Sequence, residues 1–166
     1  MVCGFASFYE VDVVKLIRFV IRLGASNHDA QDIAQNAMLE LHRDWDTVAD
    51  PAGWVRTTAM RAYWRTMRWR HNEVVTEDLT SYPCGISSPE AFAEKAEFER
   101  EITAMLQDLP NQQRAIMALM RDSFTTDEIA QILSTTRRNV RVQTARARKT
   151  LKKARTSMLH HREGDR

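Results

Sequence analysis

The sequence predicts an all-α chain: two small helical domains joined by a flexible linker, the second of them a helix-turn-helix. Three observations carry this. Apolar residues recur at spacings of three and four in segment after segment, the period of an amphipathic helix. Only 5 Gly and 4 Pro occur in 166 residues, and no alternating run bounded by turn residues offers a strand. The helical pattern lapses once, from His71 to Ser88, where Pro83, Gly85, Ser81, Ser87 and Ser88 accompany Glu73, Glu77 and Asp78. The expected organisation is therefore a domain at 1–71, a linker at 72–88, a domain at 89–160 and a tail at 161–166.

The first helix is expected over about residues 8–23. Val13, Leu16, Ile17 and Val20 line one face, Lys15, Arg18 and Arg22 lie on the other, and Gly24 is its stop. Asn27 or Asp29 starts the next, with Ile33, Ala37 and Leu41 on a face that Ala34, Met38 and Trp45 broaden. Asp50-Pro51 places an N-cap carboxylate before a proline at the first helical position and opens a helix to about Trp69 or Arg70. Ser88-Pro89-Glu90 repeats that logic for a helix to about Gln107. Pro110 opens a short helix carrying Ile116, Leu119 and Met120. Thr125-Thr126-Asp127-Glu128 is a capping box for another short helix through Leu133. After Ser134-Thr135-Thr136, with Thr136 as N-cap, the last helix starts near Arg137 and passes Lys153.

The total charge hides its distribution. With 24 Lys+Arg against 22 Asp+Glu the chain is formally +2, yet residues 129–162 hold ten basic side chains and no acid. A second acid-free window, 51–72, holds Arg56, Arg61, Arg65, Arg68 and Arg70 together with Trp54, Tyr63, Trp64 and Trp69. Residues 81–128 hold nine acids against four bases. Two basic zones separated by an acidic stretch suit a polyanionic partner gripped at two places.

Other classes fit poorly. Cys3 and Cys84 form no ligand or disulfide framework, and the five histidines (His28, His42, His71, His160, His161) make no metal set. No phosphate loop, GxSxG or HExxH motif occurs, so neither a cofactor nor an enzymatic activity is expected. Val13 to Leu23, the most apolar stretch, is broken by Lys15, Arg18 and Arg22; membrane insertion is not expected, and a cytoplasmic location is.

Residues 126–148 have the pattern of a helix-turn-helix. Ala130 is small where two helices cross closely, Ile129, Leu133 and Val140 are apolar where the pair buries a shared face, and the turn between them is tight. Ser134 occupies the turn position where glycine is usual, at a cost to a residue with a β-carbon. The second helix presents Arg137, Arg138, Asn139, Arg141 and Arg146, donors suited to base edges and phosphates in a major groove. In the earlier domain Arg61, Arg65 and Arg68 fall at i, i+4 and i+7 on one stripe beside Tyr63 and Trp64, a pattern suited to an unpaired strand. From these residues alone, a duplex-binding helix-turn-helix regulator stays open beside a factor that also handles single strands.

Asp29-Ala-Gln-Asp-Ile-Ala-Gln35 and Asp50-Pro-Ala-Gly-Trp-Val-Arg56 resemble the first conserved domain of the extracytoplasmic-function sigma factors of bacterial RNA polymerase, in the sigma-70 family. Leu109-Pro-Asn-Gln-Gln-Arg114, Glu128-Ile-Ala130 and Val140-Arg-Val-Gln-Thr-Ala-Arg-Ala-Arg148 resemble the second, promoter-reading domain, and the two likenesses occur in the right order over most of residues 8–155. The resemblance implies a non-catalytic factor that directs core polymerase to promoters and assists melting. It implies docking on core polymerase (clamp and flap) with Asp32, Ile33 and Gln35 on the clamp, and −10 contacts from Asp46, Trp54, Arg61, Trp64, Arg65 and Arg68. It implies −35 recognition by Arg137, Arg138, Asn139, Arg141, Val142 and Arg146, and an anti-sigma factor as a further partner. Arg61 stands where the family usually has asparagine, Gln31 and Asn36 replace common acids, and Val142 would offer an apolar contact, for instance to a thymine methyl.

Overall fold

A computed structural model describes the backbone of residues 2–70 and 89–163, with side chains over most of those spans. The described residues form seven helices and no strand: α1 Val2–Leu23, α2 Asn27–Asp44, α3 Pro51–Arg70, α4 Pro89–Gln107, α5 Asn111–Arg121, α6 Thr126–Ile132 and α7 Arg137–Glu163. They fall into two compact units, Met1–Ile86 and Ser87–Arg166. The linker expected at 72–88 lies outside the described residues, whereas α7 continues into the expected tail.

In the first unit α1, α2 and α3 pack against one another as a three-helix bundle. Its core is built from Leu16, Phe19, Val20 and Leu23 of α1, Ala30, Ile33, Ala34, Ala37, Met38 and Leu41 of α2, and Val55, Ala59, Met60 and Tyr63 of α3. Helix α1 begins at Val2, six residues before its expected start. Its early turns are held by aromatic contacts with the end of α2: Phe5 meets Trp45 at 5.4 Å and His42 at 4.6 Å between ring centroids, both edge to face, and Phe8 meets Trp45 at 5.6 Å. The buried face of α1 is also turned from the expected one. Val13 and Ile17 are only half-buried, Phe19 is fully buried, and Arg22, expected on the solvent side, is 5% exposed.

Local chemistry sets the helix ends. Ser26 is the N-cap of α2: the Asp29 N–H donates to its Oγ at 3.1 Å, and its own hydroxyl donates to the Asp29 carboxylate at 2.7 Å. Asp50 does the same for α3, accepting from the Gly53 N–H at 3.1 Å. Gly24, at φ 115°, closes α1 with paired bonds, its N–H donating to Ile21 O and that of Ala25 to Val20 O.

The second unit packs α5 and α6 onto α7, with α4 against α5 and α7. Ala115, Ile116, Ala118, Leu119, Ile129, Ala130, Ile132, Val140 and Ala147 are buried, and Leu106 and Leu109 join Ala147 in a cluster that Ile102, Met117 and Leu151 cover. Leu133 is half-buried at the end of α6, and Ile132 takes the place expected for it. Helices α5 and α6 end in the same paired-bond cap as α1, but with serine in the left-handed position: Ser123 at φ 68° and Ser134 at φ 49°. Such a conformation costs a residue with a β-carbon about 1–2 kcal/mol.

Arg114 ties α4 to α5. Its Nε donates to Leu106 O at 3.1 Å, and one terminal amino group donates to Gln107 O at 2.8 Å and Leu109 O at 3.1 Å, carbonyls at the end of α4 and in the turn that follows it. Arg114→Met is expected to destabilise the second unit by ~1.5–3 kcal/mol, the range for hydrogen bonds from a charged donor, as read by urea denaturation. Arg114→Lys is expected to recover little of this, because a point ammonium cannot reproduce the planar fork.

Candidate nucleic-acid interface

The described residues offer two basic faces, one on each unit. On the second unit, α6 and α7 flank the turn at Leu133–Thr136, and Ile129, Ala130 and Val140 bury the face that the helices share. The capping box is complete. The Thr125 N–H and hydroxyl both donate to the Glu128 carboxylate at 2.6 Å, and the Glu128 N–H donates back to Thr125 Oγ1 at 3.3 Å. Those two bonds from Thr125 hold the Glu128 carboxyl below its ordinary pKa of 4.5. A lowered folded-state pKa means that the box contributes fully above that value and fades as pH falls through the lowered one. A carboxyl-detected NMR titration is expected to place Glu128 below 4.5, and Thr125→Val to return it toward that value.

Thr136 caps α7, accepting from the Asn139 N–H at 3.1 Å. One face of α7 is then fixed inward by Val140, Thr144 and Ala147, with the Thr144 hydroxyl donating to Val140 O at 2.8 Å. The other face is left to solvent. Arg138, Arg141, Val142 and Arg146 are all exposed there, and Lys149, Lys152 and Lys153 prolong the basic surface along a helix of 27 residues, ~40 Å long. Two of the expected reading residues are engaged within the unit. Arg137 forms an ion pair with Asp127 of α6, and Asn139, half-buried, donates from Nδ2 to Thr135 Oγ1 at 3.0 Å.

On the first unit, α3 carries the second basic face. Trp54, Thr57, Thr58, Arg61 and Arg65 line an open groove of about 450 Å³, with Glu40 of α2 as its acidic wall. Trp54, Thr58, Arg61 and Arg65 follow at intervals of four, three and four, so one helix face presents them all. Arg61, Arg65 and Arg68 are exposed; Trp64 is half-buried and lies 4.7 Å from the buried Tyr63 ring, outside the groove lining. Asp46 is exposed between α2 and α3. On α2, Asp32 and Gln35 are exposed, Asp32 lying 3.7 Å from His28, whereas Ile33 points into the core at 8% exposure.

Arg56 belongs to the same acid-free window but not to the surface. It is 2% exposed and donates to the Asp12 carboxylate of α1 at 2.5 Å. Counting charge cannot separate it from Arg61; the sign was Asp12, a lone acid on the apolar side of α1. Glu40 gave no sign at all, being fourteen residues before its groove neighbour Trp54.

Residues 99–151 match the family described as Sigma-70, region 4. No protein of curated function matches the chain by sequence. Among solved structures, the chain is similar to the sigma factor RpoE from Bartonella quintana, solved in complex with the anti-sigma factor NepR, with 20% identity, a TM-score of 0.70, and 90% of this chain and 95% of that one covered. It is also similar to CnrH in complex with the cytosolic domain of CnrY, with 17% identity, a TM-score of 0.70, and 95% and 90% covered. At these identities the likeness is one of fold. No helix among the described residues is long and apolar enough to cross a membrane.

Proposed function

We propose that the chain is a sigma factor of the sigma-70 family, of the extracytoplasmic-function type, which directs core RNA polymerase to specific promoters and assists strand opening there. The observation that carries this is the Sigma-70 region 4 segment, set on a helix-turn-helix whose second helix presents an exposed basic face and holds no acid before Glu163. In this reading Arg137, Arg138, Asn139, Arg141, Val142 and Arg146 recognise the −35 duplex in its major groove. Trp54, Arg61 and Arg65, with Asp46, Trp64 and Arg68 nearby, hold the melted −10 strand, arginines on phosphates and the Trp54 ring against a base. Asp32 and Gln35 dock on the polymerase clamp, and Ile33 supports them from the core. The second unit meets the flap.

The role is one of binding, without catalysis or cofactor, and places the protein in the cytoplasm with its polymerase. RpoE and CnrH were each solved with a protein partner, which supports an anti-sigma factor as a partner of this chain too.

The test is run-off transcription by core polymerase on genomic fragments, with and without the chain. Promoter-specific transcripts that depend on the chain are expected; duplex binding by the chain alone with no such transcript would mean a regulator that is not a polymerase subunit. Within that assay, Arg65→Ala and Arg68→Ala are expected to reduce permanganate reactivity of promoter thymines several-fold while leaving closed-complex formation within about twofold. Wild-type footprints from both would move strand capture off this face.

A further inference from the structure

The reading helix does not present its first arginine freely. Arg137 opens α7, and its Nε is paired with the Asp127 carboxylate in the first turn of α6, across the turn of the helix-turn-helix. Both side chains stay accessible, at 66% and 52% exposure. An exposed ion pair adds little to folding stability, and an acid in the first turn of α6 favours that helix without needing Arg137 as its partner. Residues 129–162 contain no carboxylate of their own, and Asp127, two positions before them, pairs with the first arginine of α7. Pairing through Nε also has a geometric result. The two terminal amino groups of Arg137 lie beyond the paired Nε and stay available to a further acceptor. A guanidinium held in that way suits a planar pair of acceptors on a base edge, while the adjacent negative charge opposes the approach of a phosphate.

We propose that Asp127 is a positioning residue for DNA recognition: it orients the Arg137 fork toward a base edge and repels phosphates, lowering affinity for duplex in general and raising discrimination between sequences. This rests on the reading of α7 as the −35 recognition helix and adds to it a residue outside that helix.

The experiment uses the full chain, a duplex selected by wild type from a randomised library, and a scrambled duplex of the same composition, with anisotropy measured across a salt series. Asp127→Asn is expected to bind the scrambled duplex about three- to tenfold more tightly and to cut the ratio of selected to scrambled affinity at least fivefold. Its log-log salt slope on scrambled DNA is expected to steepen by about one, as for one added phosphate contact. Asp127→Glu, which keeps the charge, is expected to restore much of the ratio. In an Arg137→Ala background Asp127→Asn is expected to leave the ratio unchanged, since the two act through one contact.

Equal tightening on both duplexes, or no change on either, would overturn the proposal and leave Asp127 a plain surface charge. So would an unchanged ratio in Arg137→Ala while Arg141→Ala and Arg146→Ala weaken selected binding, an outcome that leaves the recognition helix standing. Indifference of selected binding to all three arginines would remove both the proposal and the reading beneath it.

Discussion

Arg56→Ala is expected to destabilise the first unit by about 3–5 kcal/mol, the cost of leaving a buried charge without its partner. The side chain is 2% exposed and reaches from α3 to Asp12 of α1 at 2.5 Å, so truncation opens a void between two helices and leaves that carboxylate, itself only 14% exposed, to the Lys15 ammonium at 4.0 Å. For a unit of this size such a loss lowers Tm by more than ~10 °C. Asp12→Ala is expected to fall within the same range, because the guanidinium it leaves behind is the more buried of the two. The double replacement Asp12→Leu with Arg56→Met is the informative third variant. An apolar pair of similar volume removes both charges and is expected to recover most of the loss. Differential scanning calorimetry of the three chains checks this; a Tm for Arg56→Ala within ~2 °C of wild type would show that the pair is not needed to hold α1 on α3. Because Arg56 lies within the acid-free window, the same series separates folding from binding.

Arg141→Ala and Arg146→Ala are each expected to weaken binding to the selected duplex by ~1–3 kcal/mol if they make bidentate contacts to bases. Both side chains are exposed on α7, within three turns of its capped start, and Val140, Thr144 and Ala147 fix the opposite face inward. Their loss should therefore leave folding intact and relax sequence preference at particular base pairs. Lys152→Ala and Lys153→Ala make the contrast: exposed and farther along α7, they are expected to weaken all duplexes evenly and to lower the salt slope by about one per phosphate contact. Anisotropy on selected and scrambled duplexes distinguishes the two patterns.

Much of the fold was legible because its determinants are local or periodic. The capping box at Thr125–Glu128, the Asp50-Pro51 start and the Gly24 stop all work within one turn of chain, and each is in place. The stripe Ile33, Ala37 and Leu41 is buried as its spacing requires. What was not legible depends on partners far along the chain. The early turns of α1 carry no capping signal; they are helical because Phe5 and Phe8 find Trp45, some forty residues away. Arg22 and Arg56 look like their exposed neighbours until the packing is known. The candidate surfaces divide in the same way. Periodicity put Arg61, Arg65 and Arg68 on one exposed stripe, whereas nothing in the spacing linked Glu40 to Trp54 or Asp127 to Arg137.

The two serines with positive φ have a dynamic consequence. Helix α6 has only seven residues, and the turns on both sides of it, at Ser123 and Ser134, are each held in a backbone conformation that opposes their own preference. Its order thus rests on the burial of its own Ile129, Ala130 and Ile132 against α5 and α7. A short segment that depends on such packing is expected to be a low-energy opening unit, its amides exchanging with solvent before those of α5 and α7 in a hydrogen-exchange measurement. In the proposed role, elasticity of that kind would let the protein settle on DNA sites whose local shapes differ.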